Sequence, residues 1–212
     1  EDGPDYDFGA ATLLATTSEG RDLVLAGQKS GDVYALDPAR GGAIVWQKKL
    51  GRGGIQGGVH FGMALDGDVL YVPMSDFDGG ARWPGKAFPG MYAVDIRNGD
   101  VLWFTPAEDL CEGREFCQPG LSAAASAIAG GVVAGAMDGV LRAYDKATGK
   151  VLWSYDSVRS FDTTDGGTAL GGSFGGAAGP VFSDGMMFVN SGYGIYFHMP
   201  GNVFLAFGPK TP

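Results

Sequence analysis

Short apolar runs separated by glycine- and aspartate-rich turns recur along the chain. The first set is Leu23-Val24-Leu25-Ala26, Val69-Leu70-Tyr71-Val72, Val132-Val133-Ala134-Gly135 and Met186-Met187-Phe188-Val189, and each run ends in small or polar residues (GQKSG, PMSD, GAMDG, NSGYG). A second set follows: GDVYALD from Gly31, GMYAVD from Gly90, GVLRAYD from Gly139 and the truncated GNVFLAF from Gly201. These runs are too short for helices and rich in β-branched and aromatic residues, so they predict strands. In three copies an Asp-led, glycine-bearing turn comes next (DPARGG, DIRNG, DKATG), and then a run around Trp46, Trp103 or Trp153. That pattern is a β-hairpin closed by turn chemistry. With a further strand from segments such as Ser122 to Ile128, each unit becomes a four-stranded sheet.

The unit repeats at a blade-like period. Its anchors Ala35, Ala93, Ala143 and Ala206 are 58, 50 and 63 residues apart, in the range of propeller blades. The expected fold is therefore all-β, a β-propeller segment of about four four-stranded antiparallel blades, with units at approximately 8–50, 51–104, 105–154 and 155–212. One Trp per hairpin predicts a large ring packed between neighbouring blades, because one blade cannot bury both of its faces alone. Four blades are the small extreme of closed rings. The expectation is half of an eight-bladed propeller, with a closed four-bladed ring as the alternative.

Composition narrows the function. Thirty-eight Gly and 11 Pro in 212 residues supply turns, while 45% apolar and only 18% charged residues give a chain that folds. A net charge of −9 with no basic cluster disfavours nucleic acid as a partner. No 18-residue apolar run would span a membrane as a helix. Cys111 and Cys117 match no zinc or CxxC spacing, and with only two His in the chain they predict a small disulfide loop. A disulfide implies an oxidising compartment such as a bacterial periplasm, with an export signal removed or lying outside this segment.

Four segments carry a family resemblance: DYDFGA at 5–10, LVLAGQKSGDVYALD at 23–37, GGVHFGMALDGDVLYVP at 57–73 and the long run from Ser122 to Trp153. They resemble the C-terminal half of pyrroloquinoline-quinone (PQQ)-dependent alcohol dehydrogenases, an eight-bladed propeller family, and within it the polyvinyl-alcohol-dehydrogenase branch. Non-enzymatic outer-membrane assembly propellers share the repeat. A scaffold that binds protein partners is therefore the alternative function.

The resemblance implies specific roles. Tyr6-Asp7-Phe8 matches a turn that places an Asp beside the quinone and its Ca²⁺, so Asp7 is expected as catalytic base and calcium-proximal carboxylate. Lys29, just before Ser30-Gly31-Asp32-Val33-Tyr34, is expected to hydrogen-bond the quinone oxygens. His60 and Phe61 stand where the family has an Asn-Trp pair against the cofactor. These residue types suit alcohol oxidation, in which a carboxylate removes the hydroxyl proton as hydride leaves carbon and a cation steadies the charge growing on the quinone. The resemblance further implies a small or polymeric alcohol substrate, a cytochrome c or quinone electron acceptor, and an N-terminal half that supplies the remaining calcium ligands. The glycine-rich Gly171–Pro180 reads as a plain loop, with a backbone approach to the cofactor as the alternative, and it is no phosphate loop, since no Gly-Lys-Ser/Thr follows it.

Overall fold

A computed structural model of the chain describes residues 5–76, 85–194 and 196–209. Three four-stranded antiparallel meanders follow one another. The first holds β1 (Leu13–Thr16), β2 (Asp22–Gly27), β3 (Asp32–Asp37) and β4 (Ala43–Lys49); the second β5 (Ala64–Asp66), β6 (Val69–Met74), β7 (Gly90–Asp95) and β8 (Val101–Pro106). The third is β9 (Ser126–Ile128), β10 (Gly131–Gly135), β11 (Val140–Asp145) and β12 (Val151–Asp156). A separate hairpin, β13 (Ser160–Asp162) with β14 (Thr168–Leu170), precedes a last sheet of β15 (Val181–Ser183), β16 (Met186–Ser191) and β17 (Val203–Phe207). This fourth sheet has three strands among the described residues where four were expected. The outer strands β4, β8 and β12 each follow the Asp-led turn, and no copy of that turn follows Ala206.

The repeated letters produce repeated geometry. A register shift falls just after the anchor alanine in each of the first three sheets, between Ala35 and Leu36, Ala93 and Val94, and Ala143 and Tyr144. Asp37, Asp95 and Asp145 then cap their turns by accepting from the amides of Arg40, Arg97 and Thr148. Gly99 and Gly149 close two of these turns at φ 79° and 72°, a left-handed region that favours glycine. They also make room for tryptophan. A β-carbon at Gly99 would lie 2.9 Å from the Trp46 ring, and one at Gly149 would lie 2.5 Å from the Trp103 ring. Each indole latches the next sheet, since Trp46 Nε1 donates to the Ile96 carbonyl at 2.7 Å and Trp103 Nε1 to the Lys146 carbonyl at 2.8 Å. Trp153 packs instead on Tyr155 and Phe207 and stays 39% exposed.

The core lies between successive sheets. Leu23, Leu25 and Val33 meet Leu70, Val72 and Met74, while Tyr71 and Met91, on the other face of the second sheet, meet Val132 and Ala134 of the third. Val133 and Leu141 continue against Val189, Val203 and Leu205. The middle strands are buried on both faces, which is why they read as continuous apolar runs, whereas β3 and β17 alternate. The outer faces of the first and last sheets expose Leu14, Val181 and Phe204. Cys111 and Cys117 form the expected disulfide.

Candidate functional site

Backbone stitches at one end of the sheets build the site. The segment leading into each sheet accepts from a residue just past the end of that sheet's second strand: Lys29 N donates to Asp7 O, Ser75 N to Gly58 O, Met137 N to Gly120 O and Gly192 N to Ser173 O, all at 2.9 to 3.0 Å. The following residue of the lead-in donates backwards to the preceding sheet, Val59 to Gln28 O, Leu121 to Met74 O and Phe174 to Ala136 O. Two residues past each acceptor stand Gly9, His60, Ser122 and Gly175, which are therefore equivalent positions. The first three touch, since a β-carbon on Gly9 would lie 2.7 Å from the His60 carbonyl and His60 Nδ1 hydrogen-bonds Ser122 Oγ at 2.7 Å, while Gly175 abuts the His198 ring.

This arrangement brings all four sequence candidates to one region. The Lys29 ammonium lies 3.1 Å from carboxylate oxygens of both Asp5 and Asp7. Lys29 is buried while the two carboxylates are half exposed. Burial works against the lysine charge, but the bonds to Asp5 and Asp7 outweigh it and hold its pKa above 10.5. Lys29 therefore stays an ammonium at neutral pH. His60 is stacked on Phe61 with ring centroids 3.9 Å apart. A cavity of about 270 Å³ opens beside this pair, with Asp5, Lys29 and Gln56 as polar walls and Ile55, Phe61 and Phe197 among the apolar ones. His60 and Tyr196 complete the lining. Asp7 binds Lys29 without lining this cavity, and Asp5, which the sequence reading passed over, occupies the wall. Gln56, Ser122, Tyr196 and Phe197 were missed too. Asp5 shares the Asp-Tyr-Asp run with Asp7, but nothing local marks the others. Gly171–Pro180 borders a different cleft of about 210 Å³.

Burial lowers the His60 pKa from 6.5 to about 4, with the Lys29 and His198 charges adding to the effect. The unfolded chain then binds more protons between these two values, so stability falls as pH drops from 6.5 to 4 and levels off below. The full shift corresponds to about 3 kcal/mol. In thermal melts across that window, His60→Gln is expected to flatten the slope relative to wild type; parallel slopes would mean that His60 titrates normally.

The residues suit a planar, polyanionic quinone. Aromatic side chains border the cavity, and a permanent ammonium stands at its wall. A calcium ion is not matched in the same way. No group of three or more metal-ligating side chains occurs among the described residues, and Asp5 and Asp7 alone fall short of the about 6 to 8 oxygens Ca²⁺ takes.

A family model of PQQ-type repeats, described as outer membrane protein assembly factor BamB, matches residues 29–158 and 90–207. The chain belongs to this PQQ-repeat family. It is 43% identical over 195 residues to a polyvinylalcohol dehydrogenase of Sphingopyxis sp. (strain 113P3), covering 90% of this chain and 29% of that protein. A polyvinylalcohol dehydrogenase of Pseudomonas sp. is 41% identical over 216 residues, covering 97% of this chain and 33% of the relative. The chain thus spans about a third of the length of these curated relatives. Among solved structures, the quinohemoprotein alcohol dehydrogenase of Comamonas testosteroni superposes with a TM-score of 0.58 at 19% identity, over 89% of this chain and 30% of that one. That likeness establishes the propeller fold, and the named relatives are oxidoreductases.

Proposed function

We propose that this chain forms part of a PQQ-dependent alcohol dehydrogenase that oxidises primary or secondary alcohols or a polyol polymer. The observation that carries the reading is the Lys29 ammonium held between Asp5 and Asp7 at the wall of an aromatic-lined cavity. Lys29, His60 and Phe61 hold the cofactor, and the quinone, when bound, supplies the hydride acceptor. Asp7 is the base, taking the alcohol's hydroxyl proton onto a carboxylate oxygen, and Asp5 is the second carboxylate placed to do so. Lys29 fixes both carboxylates and keeps a positive charge facing the cofactor's oxygens. His60, held neutral by burial, adds a hydrogen-bonding ring oriented by Ser122. Asp7 is also the chain's contribution to a Ca²⁺ site whose other ligands come from the N-terminal half of the propeller. The uncovered faces at Leu14 and at Val181 and Phe204 fit that half as neighbour. Electrons leave to a cytochrome c or quinone acceptor in the periplasm, a compartment that the Cys111–Cys117 bond suits.

The assembly-factor description of the family model favours a second reading, a scaffold that binds protein partners. Dye-linked alcohol oxidation by the full-length protein with quinone and Ca²⁺ separates the two. Turnover is expected across short alcohols, and absence of both turnover and quinone binding would leave the scaffold.

A further inference from the structure

One stretch of the cavity wall is held in a conformation that its own residues disfavour. Tyr196 and Phe197, both lining the cavity, lie in the β16–β17 connection with φ of 54° and 57°. Two non-glycine residues in succession in the left-handed region are uncommon, and such backbone persists only where its surroundings over-determine it. Upstream, Gln56 Nε2 donates to the Tyr196 carbonyl at 2.6 Å. Downstream stands Met199, two residues past Phe197 and buried.

Met199 is anchored by backbone and side chain alike. Met199 N donates to Ser173 Oγ at 2.8 Å, and Ser173 N donates to the Met199 carbonyl at 3.0 Å. Ser173 Oγ in turn donates to the Met137 carbonyl at 2.6 Å, and Met137 N donates to the Gly120 carbonyl at 2.9 Å. Gly120 follows Cys117 by three residues. The Met199 side chain arrives at the same loop, packed in a buried cluster with Cys111, Cys117 and Val158. A methionine is flexible and moulds itself to its neighbours, so it fixes a backbone only when its seat is rigid. The Cys111–Cys117 bond provides such a seat by closing a loop of sequence separation 6. That loop is braced further by Cys111 N donating to Asp109 Oδ1 at 3.0 Å and Cys117 N to the Arg114 carbonyl at 3.2 Å.

We infer that Met199, seated on the Cys111–Cys117 disulfide, is a positioning residue for the cofactor cavity: it holds Tyr196 and Phe197 in place before the quinone arrives. The inference rests on the dehydrogenase reading of this cavity. Ordering the wall in advance removes an entropic cost from cofactor binding. The disulfide loop thereby acts on the cavity from the β8–β9 connection without lining it.

The test uses the full-length protein and calorimetry with PQQ. Met199→Ala is expected to bind the quinone about tenfold more weakly, the loss expected when wall side chains must be ordered during binding. Met199→Leu, which conserves volume, should restore affinity to within about twofold of wild type. Val132→Ala, a cavity in the core between the second and third sheets, should lower the melting temperature comparably and leave quinone affinity unchanged. Equal quinone loss in Val132→Ala and Met199→Ala would reduce Met199 to a general stabiliser and overturn the inference. The double variant Cys111→Ala/Cys117→Ala should match Met199→Ala, and the triple variant should bind no more weakly than either, because one seat cannot be lost twice. Multiplying losses would mean that disulfide and methionine act separately, which also overturns it. Should the cysteine variant fail to fold, the two Met199 variants still decide. Hydrogen exchange of the quinone-free protein gives a readout that needs no ligand. The amides of Phe197 to Met199 are expected to exchange about tenfold faster in Met199→Ala and at the wild-type rate in Val132→Ala, as for a local opening. Unchanged exchange, or unchanged affinity, in Met199→Ala removes this inference alone, whereas a wild type that binds no quinone removes the dehydrogenase reading and the inference with it.

Discussion

Asp7→Asn in the full-length enzyme is expected to lower turnover by about 10²-fold or more, with the fold intact. A positioned general base contributes about 10²- to 10⁴-fold to a proton transfer, and an amide of the same shape cannot accept the proton. The structure supplies a matched comparison. Asp5 binds the same lysine at the same 3.1 Å distance, but only Asp5 lines the cavity. Steady-state kinetics of Asp5→Asn and Asp7→Asn, side by side with quinone affinity, therefore locate the proton. A hundredfold loss in Asp5→Asn with near-normal turnover in Asp7→Asn would move the base to Asp5. Wild-type turnover in the double variant would remove the carboxylates from catalysis altogether.

The second large effect belongs to a residue that takes no part in proton transfer. Asp76→Ala is expected to destabilise the protein by about 3 kcal/mol or more, read as a shift in the chemical-denaturation midpoint. The Asp76 carboxylate is 1% exposed and accepts four backbone N–H groups, from Arg52 and Phe88 at 2.8 Å and from Gly53 and Gly58 at 3.1 Å. Removing it strands buried donors, each costing about 1–3 kcal/mol. Asp76 also holds a left-handed backbone at φ 40°, a conformation that costs a non-glycine residue about 1 kcal/mol or more and persists where surroundings over-determine it. Packing leaves no alternative beside it, because a β-carbon on Gly51 would lie 2.5 Å from the Asp76 carboxylate. The pinned segment leads to Ile55, Gln56 and His60, so the same variant should weaken quinone binding. A loss below about 1 kcal/mol would mean that water replaces the carboxylate.

The repeat by itself determined the sheets. Each Asp-led turn, its glycine and its tryptophan act within a few residues or on the next copy of the same pattern, so Trp46 finds Gly99 and Trp103 finds Gly149 wherever the period holds. The disulfide of Cys111 and Cys117 was legible for the same reason, as a short-range closure. Asp7 and Lys29 were legible only through motif resemblance, and the structure brings them together through one stitch, Lys29 N to Asp7 O. What tertiary structure alone decided is the company they keep. Asp5 at the cavity wall, Ser122 on His60, Gln56 on Tyr196 and Asp76 under the cavity loop join residues up to 140 positions apart. No periodicity marks such contacts, because the lead-in segments vary in length and composition and share only their backbone hydrogen bonds to neighbouring sheets. Those bonds are blind to side-chain identity, so the residues they deliver to the site are set by packing around the cavity rather than by the repeat.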